Sequence, residues 1–419
     1  MPRSSDQPGP PSHNRGGGPK AFKLTRRDAL AGAALLGAGA AADHLLDRPK
    51  PSPAEPAQAG EAVAFPGPHQ AGIATPQQSH LYFAAYDLKT TSPPALRELL
   101  REWSAAAAAL TAGREYAGDP GEALGLAPAR LTLTFGLGPG LFASPALRRM
   151  RPPQLRELPA FPGELIDPQS SGGDLCVQAC ADDPQVAFHA LHVLGAIAGS
   201  HVVQRWSHTG FVSTPSAGTP RNLIGFKDGT NNLRGTDDQA LDRFVWVQSG
   251  DGPSWLTGGS YMIVRRIEIV FPTWDTAGLA AQEQAIGRRK ASGAPLGSLG
   301  EHDPVDLSAV DAIGAPVIPA HAHIRLAAAE TNGGKRILRR GYHYSQGFTQ
   351  GAVDRGGHLL DGGLFFLAFV RDPRQFITIQ RRLATSDALS AFTVHTASAI
   401  FVCPPGAARG GYVGEGLFS

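Results

Sequence analysis

The sequence predicts an α+β protein built from two ferredoxin-like modules with antiparallel sheets. Two observations predict this class. Strand-like and helix-like runs follow one another in the order β, α, β, β, α, β, and a similar order recurs in the second half of the chain. Elements in this order form antiparallel sheets with the helices on one face. Two such modules are expected to pack as in a dimeric α+β barrel, with a cavity between them.

The first module begins at Phe65. Apolar runs bounded by turn residues predict its strands, and leucines with Trp103 at helical spacing predict its first helix, which starts at a proline. The predicted elements are, in order, strand 80–88, helix 94–110, strands 130–135 and 173–180, helix 184–197 and strand 201–206.

The second module follows a segment rich in glycine, serine and proline at 212–221. This segment places the N-terminal module at 65–215 and the C-terminal module at 216–419. The predicted elements of the second module are strand 260–270, helix 274–286, strand 364–370, helix 373–383 and strand 399–402. The loops at 212–235 and 287–340 are longer than a compact domain usually contains, which indicates a function for them.

The N-terminus reads as an export signal. Arg26 and Arg27 precede a weakly apolar run at 29–42 that is too short to span a membrane, which predicts a twin-arginine signal peptide over 1–42. A flexible, proline-rich linker is expected at 43–64. The twin-arginine translocase exports folded proteins, so its use indicates a cofactor loaded before export. The predicted location is periplasmic, extracellular or at the cell envelope.

Composition excludes two classes of protein. The net charge of the 419 residues is +2 and the body of the chain has no clustered Lys/Arg run, which argues against a nucleic-acid partner. The cysteines Cys176, Cys180 and Cys403 are three in number, so disulfides do not organise the fold. Cys176 and Cys180 lie in a strand-like run and are expected to be small buried side chains rather than metal ligands.

Three polar residues of the second half form the predicted site. Asp228 lies in a loop between Gly225 and Gly229, where glycine permits positive φ and close approach to a ligand. Taken alone, this Asp-Gly pair is ordinary turn chemistry. His323 follows 95 residues later and Arg339 another 16 beyond it. An acid, an imidazole and a fixed cation are the groups needed to ligate a haem iron and to cleave a peroxide on its other face.

The chain resembles a dye-decolourising (Dyp-type) haem peroxidase, of the exported subgroup associated with bacterial iron uptake. The resemblance extends over essentially the whole mature chain. It rests on five motifs: 65–76 (FPGPHQAGIATP), 225–232 (GFKDGTNN), 323–327 (HIRLA), 337–342 (ILRRGY) and 363–366 (GLFF). The resemblance implies haem b as the cofactor, bound between the sheet and the helices of the C-terminal module.

The resemblance also implies the residue roles. His323 is expected to be the proximal iron ligand, with His321 as a rival, and Asp228 the distal acid/base. Arg339 is the expected distal cation because the functional arginine of the family directly follows an aliphatic pair, here Ile337 and Leu338. Arg340 is the alternate, and it would point to the opposite face of the same extended segment.

The remaining expected cofactor contacts come from the same motifs. Gly229, Thr230 and Asn231 are expected to lie against the porphyrin, Arg325 to pair with a propionate and Phe366 to belong to the distal apolar wall. The sequence departs from the family after the proximal histidine. Residues 328–330 are Ala-Ala-Glu, where the subgroup typically has Asn-Pro-Arg.

These expectations predict a peroxidase that reduces hydrogen peroxide and oxidises dyes, phenolics or ferrous iron. The sequence leaves open a deferrochelatase, which releases iron from haem with protoporphyrin left intact, and an exported haem-binding or haem-transfer protein. The expected partners are hydrogen peroxide, an electron donor and the twin-arginine translocase. Membrane proteins of iron uptake and a homo-oligomer are compatible with the resemblance.

Overall fold

The structure is a computed structural model that describes residues 61–89, 92–213, 218–348 and 360–418. The predicted signal peptide at 1–42 and most of the linker at 43–64 lie outside the described residues. The predicted module boundary at 215 and 216 does too, since 214–217 are not described. These domain limits stay predictions.

The described residues form nine β-strands and seven α-helices. The strands are β1 His80–Leu88, β2 Thr132–Leu137, β3 Leu175–Ala181, β4 Val202–Phe211, β5 Ser260–Ile269, β6 Leu338–Arg339, β7 Tyr342–Phe348, β8 Leu360–Val370 and β9 Thr393–Cys403. The helices are α1 Pro93–Leu110, α2 Pro184–Ala198, α3 Asp238–Phe244, α4 Phe271–Thr276, α5 Leu279–Ile286, α6 His323–Ala327 and α7 Arg374–Ser386. Among these helices, none combines the length and the apolar character that crossing a membrane requires.

The strand order confirms the predicted α+β class. The first module pairs its strands in the order β2-β3-β1-β4, and the second pairs them in the order β9-β5-β8-β7, all antiparallel. Both are the ferredoxin-like order, with the two outer strands of each module free to pair further. They do so between modules, where Leu137 pairs with Val402 and Phe211 pairs with His343. The two sheets therefore close into a barrel.

Side-chain alternation along β1 shows how the barrel is packed. Leu81, Phe83 and Ala85 point into the barrel, where they meet apolar side chains from both modules. Ala84 and Tyr86 point outward and join the core formed with α1 and α2. Because neighbouring residues of a strand face opposite sides, one strand serves two cores. Each fully buried large apolar side chain contributes about 1.5–3 kcal/mol.

Several elements differ from the predicted ones. The helix predicted at 274–286 is two helices, α4 and α5, because the chain turns at Ala277, which is extended, and restarts at Gly278. β4 continues to Phe211 and β9 begins at Thr393, beyond the predicted ends. The short elements α3, α6, β6 and β7 were not predicted, since they are too short or too polar to show a clear period.

The cysteines agree with the prediction. Cys176, Cys180 and Cys403 are free thiols in β3 and β9, and all three are buried. Burial raises the pKa of the thiol of Cys176 and of Cys180. The three thiols therefore act as small core residues.

Candidate active site

The loop that carries Asp228 connects β4 to α3. Its residues 222–226 form a tight turn in which the amide of Gly225 donates to the carbonyl of Asn222 at 2.9 Å. The amide of Asp228 donates to the carbonyl of Pro220 at 2.8 Å, which fixes the acid beside the start of the loop. Gly225 has φ 86° and Gly229 has φ 118°, so both glycines adopt the positive φ that the sequence predicts.

Arg339 ends the short strand β6 and faces this loop. Its Nη1 donates to Oδ1 of Asp228 at 2.8 Å. The backbone of Arg339 is held by one side chain, Asn232, whose amide nitrogen donates to the Arg339 carbonyl at 2.7 Å and whose oxygen accepts from the Arg339 amide at 2.9 Å. The loop therefore positions both the acid and the cation.

Arg340 points away from Asp228, as alternation along an extended segment predicts. It is 3% exposed, against a side-chain exposure of 33% for Arg339. Its guanidinium donates to the carbonyl of Thr75 and to Oε1 of Gln78. The geometry thus places Arg339 beside the acid and Arg340 in a structural contact with the start of the first module.

A cleft opens where Asp228 and Arg339 meet. Its walls combine the two charged groups with apolar side chains and with backbone that lacks a Cβ. The lining residues are Gln77, Val212, Pro220, Asp228, Gly229, Asn232, Arg339, Gly341, His343, Leu364 and Phe366. Phe366 therefore forms part of the wall of this cleft, and its contact with a cofactor stays a prediction. Burial lowers the pKa of His343, so this imidazole is neutral at neutral pH.

His323 begins α6, and its ring is fixed by an acid. Nδ1 of His323 lies 2.7 Å from Oδ2 of Asp387. Burial acts to lower the pKa of His323, but the charge of Asp387 and its hydrogen bond outweigh burial, so the pKa is raised. Arg339 and Asp228 also act on this pKa, so the imidazole lies within electrostatic reach of both. An Nδ1 held by a carboxylate leaves Nε2 to bind a metal.

The residues fit a haem in three respects. His323 offers one ring nitrogen with the other already oriented by Asp387, which is 5% exposed. Asp228 and Arg339 form a separate acid and cation pair beside an apolar wall. Gly229 has no Cβ, so the backbone at the edge of the cleft is not covered by a side chain. His321, the rival ligand, is exposed.

The other expected cofactor contacts are dispersed. Gly229 lines the cleft, whereas Thr230, Asn231 and Arg325 do not. Thr230 donates from its hydroxyl to Oε1 of Glu301 at 2.9 Å, and Asn231 is exposed. Arg325 donates to the carbonyls of Leu307 and Ile318, which ties the preceding loop to α6 and uses part of its donor capacity. A propionate contact for Arg325 stays a prediction.

Three residues of the site were missed by sequence reasoning. Asp387 follows α7 as a single acid, and nothing in its local sequence marks it as the partner of His323. Asn232 lies in the predicted motif, but its bidentate hold on Arg339 depends on a strand 107 residues away. Glu301 lies in the long predicted loop and accepts hydrogen bonds from Thr219, Lys227 and Thr230.

Comparison with known proteins shows the family of the chain. The family model for the N-terminal part of Dyp-type peroxidases matches residues 70–212, and the model for the C-terminal part matches residues 219–408. The chain belongs to the Dyp-type peroxidase family, a family of haem-containing oxidoreductases.

Individual relatives cover nearly all of the chain. A dye-decolorizing peroxidase from Thermobifida fusca is 39% identical over 428 residues, covering 94% of this chain and 97% of the relative. A deferrochelatase from Escherichia coli K12 is 34% identical over 393 residues, covering 89% and 91%. The crystal structure of a DyP-type peroxidase from Streptomyces coelicolor superposes with a TM-score of 0.81 at 39% identity, covering 86% of this chain and 97% of that one.

Proposed function

We propose that the protein is an exported haem b peroxidase that reduces hydrogen peroxide with Asp228 as acid/base, Arg339 as cation and His323 as iron ligand. The observation that carries this proposal is the 2.8 Å hydrogen bond from Arg339 to Asp228 beside an apolar cleft. The electrostatic influence of both residues on His323 supports placing all three around one cofactor.

The bound haem supplies the iron and the conjugated ring that take up the oxidising equivalents of hydrogen peroxide. Asp228 holds the proton that must leave one peroxide oxygen and return to the other, a task for a positioned carboxylate. Arg339 stabilises the negative charge on the departing oxygen, because a guanidinium stays protonated at all relevant pH values. Leu364 and Phe366 give the same cleft an apolar wall.

The proximal side requires a fixed and electron-rich imidazole. Asp387 accepts from Nδ1 of His323 and thereby selects the tautomer in which Nε2 is free to bind iron. Asp387 is itself held, since its Oδ1 accepts from the amide of Leu389 at 3.0 Å. A carboxylate that is oriented in this way makes the histidine a stronger donor to the metal.

The Asp228–Arg339 pair also separates the candidate functions. A haem carrier needs an iron ligand and an apolar slot but no acid and cation beside the open face, so the pair favours catalysis over transport. Deferrochelatase activity is the second candidate, favoured by 34% identity to a protein of that name from Escherichia coli. Dyes, phenolics and ferrous iron remain the proposed reductants.

Export is part of the proposal. Arg26 and Arg27 before the apolar run at 29–42 support transport by the twin-arginine translocase, with haem loaded beforehand. The mature protein would then act in the periplasm, outside the cell or at the cell envelope. Contacts with iron-uptake membrane proteins and a homo-oligomer are compatible with this placement.

The experiment uses the haem-loaded chain with and without hydrogen peroxide. Peroxide-dependent oxidation of an anthraquinone dye and of a phenol is expected, and Asp228→Ala is expected to lose most of it. In a parallel anaerobic sample without peroxide, the fluorescence of free protoporphyrin and the released iron are measured. Absence of peroxide-dependent oxidation in the wild type contradicts the peroxidase proposal. Metal-free porphyrin formed without peroxide favours the deferrochelatase.

A further inference from the structure

A cluster of side chains that could bind a metal ion lies outside the active site. Asp119 and Glu122 belong to the loop between α1 and β2, and His189 and His192 lie one turn apart on α2. Potential ligand atoms of Asp119, Glu122 and His189 all lie within 4.8 Å of one another. None of the four residues lines the cleft beside Asp228.

Both nitrogens of His189 contact a carboxylate. Nδ1 lies 2.8 Å from Oε2 of Glu122, and Nε2 lies 3.1 Å from Oδ2 of Asp119. A neutral imidazole has one N–H, so it can donate to one of the two carboxylates only. At the other contact, the lone pair of the second ring nitrogen faces a carboxylate oxygen. This contact is repulsive unless a positive charge is present. An extra proton, on the ring or on a carboxyl group, or a bound cation would satisfy both contacts.

No side-chain cation of the described chain supplies that charge. Within the described ranges, neither Asp119 nor Glu122 forms an ion pair with a lysine or an arginine. The side chains of His189 and Asp119 are each 5% exposed. The buried carboxylate of Asp119 and the partly exposed carboxylate of Glu122 (30% exposed) therefore meet at His189 with no lysine or arginine to balance their charge.

Glu122 lies between two imidazoles. Its Oε1 lies 2.7 Å from Nδ1 of His192, while its Oε2 contacts Nδ1 of His189. Asp119 occupies the far side of the His189 ring, and its Oδ1 accepts from the amide of Gly121 at 2.8 Å. A histidine that binds a metal through one nitrogen and donates to a buried carboxylate through the other is the usual arrangement of metal-bound histidines.

We propose that His189, His192 and Glu122 bind a divalent first-row cation such as Zn²⁺, with water completing the shell and Asp119 orienting His189. Two imidazoles and a carboxylate suit such borderline cations better than Mg²⁺ or Ca²⁺, which prefer oxygen ligands. Ligands of a tetrahedral Zn²⁺ lie roughly 3.4 Å apart, so the nitrogen–oxygen contacts must widen by roughly 0.6 Å. His192 is 49% exposed and Glu122 is 30% exposed, which leaves both free to adjust.

The metal would join the loop of Asp119 and Glu122 to α2. Because it binds the folded chain and has no preformed site in the unfolded one, it is expected to stabilise the first module. Because the ligands of a divalent cation must be deprotonated, binding is expected to weaken as the pH falls.

The test titrates Zn²⁺ into the haem-loaded full chain in competition with a chromogenic chelator. Haem occupies His323, so that histidine does not contribute. One site per chain is expected in the wild type. Glu122→Gln and His192→Ala are expected to weaken Zn²⁺ binding at least tenfold, and Asp119→Asn by about 10–100-fold. His201→Ala, an exposed histidine shortly after α2, is the matched control and is expected to bind as the wild type does.

A second readout is thermal unfolding. Zn²⁺ is expected to raise the Tm of the wild type and of His201→Ala but not that of Glu122→Gln, and a chelator is expected to reverse the shift. His192→Ala keeps the test valid if a buried substitution impairs folding, because His192 is half exposed. Absence of a site in the wild type, or equal binding by wild type, Glu122→Gln and His192→Ala, overturns the proposal.

Discussion

Arg339 donates from Nη1 to Oδ1 of Asp228 at 2.8 Å, and this contact joins two segments that lie 111 residues apart in the chain. Asn232 holds the backbone of Arg339 on both its amide and its carbonyl, so the acid-bearing loop also positions the cation. The acid and the cation therefore form one hydrogen-bonded unit. Substitutions at either residue are expected to act on the same step.

Substitutions of Arg339 and of Arg340 are expected to have different effects, the first on catalysis and the second on stability. Arg339→Ala removes a partly exposed cation beside Asp228, so the rate of peroxide reduction is expected to fall about 10²–10³-fold with little change in stability. Arg340→Ala leaves the acceptors of Thr75 and Gln78 without their donor, and an unsatisfied buried acceptor such as that of Gln78 costs about 1–3 kcal/mol. Steady-state kinetics and urea unfolding of both variants measure the contrast. Equal kinetic losses in the two variants would refute it.

Asp387 is expected to control how firmly His323 binds iron. Asp387→Asn keeps the oxygen that accepts from Leu389 but removes the charge beside Nδ1 of His323. Loss of such a partner typically weakens a metal–histidine site by about 10–100-fold. The measurement is the rate of haem transfer from the holoprotein to an excess of apomyoglobin. Asp275→Asn, an exposed acid in α4, is the control, and a variant that retains haem as firmly as this control would contradict the role.

Glu301 is expected to make stability depend on acidic pH. Burial acts to raise its pKa, but hydrogen bonds from Lys227, Thr219 and Thr230 prevail and lower it to about 2. A carboxyl whose folded pKa lies below its unfolded value contributes stability that is complete above the unfolded value, about 4.3. That contribution is lost as the pH falls toward 2.

The free energy of unfolding of the wild type is therefore expected to fall more steeply than that of Glu301→Gln as the pH falls from roughly 4.3 to about 2, the unfolded and folded pKa values of this carboxyl group. Above pH 5 or so the variant is expected to be less stable than the wild type by a constant amount. Urea titrations across this range measure the difference, with exposed Glu98→Gln as control. Parallel pH profiles for the wild type and Glu301→Gln would show that Glu301 carries no such linkage.

The sequence was sufficient to predict the elements with a strong hydrophobic periodicity and the site residues that lie within motifs. β1 has the predicted bounds, and α1 and α2 each differ by one residue at an end. Barrel closure was less accessible, because the pairs Leu137 with Val402 and Phe211 with His343 join strands from different modules. Polar and apolar residues alternate in β6 and β7, near Arg339. This pattern could not be distinguished from that of a loop in the sequence.

The residues of the site also include some that the sequence predicted and some that it did not. Asp228 and Arg339 were predicted, and the structure brings them into contact. Asp387 was not predicted, since its role depends on a 64-residue separation from His323 that only the packing of α6 against α7 brings together. The role of Glu301 could not be predicted for a similar reason. Its three hydrogen-bond donors belong to the Asp228 loop, which is distant from Glu301 in the sequence.

The most direct test of the central claim is the reaction of haem-loaded Asp228→Asn with hydrogen peroxide in a stopped-flow spectrometer. Asn keeps the size of the side chain and a hydrogen bond to Arg339 but cannot accept the peroxide proton. The bimolecular rate of the change in haem absorbance is expected to fall about 10²–10⁴-fold relative to the wild type, with equal haem content. Asp238→Asn, an exposed acid at the start of α3, is expected to react as the wild type does. A rate for Asp228→Asn equal to that of the wild type would contradict the assignment of Asp228 as the acid/base.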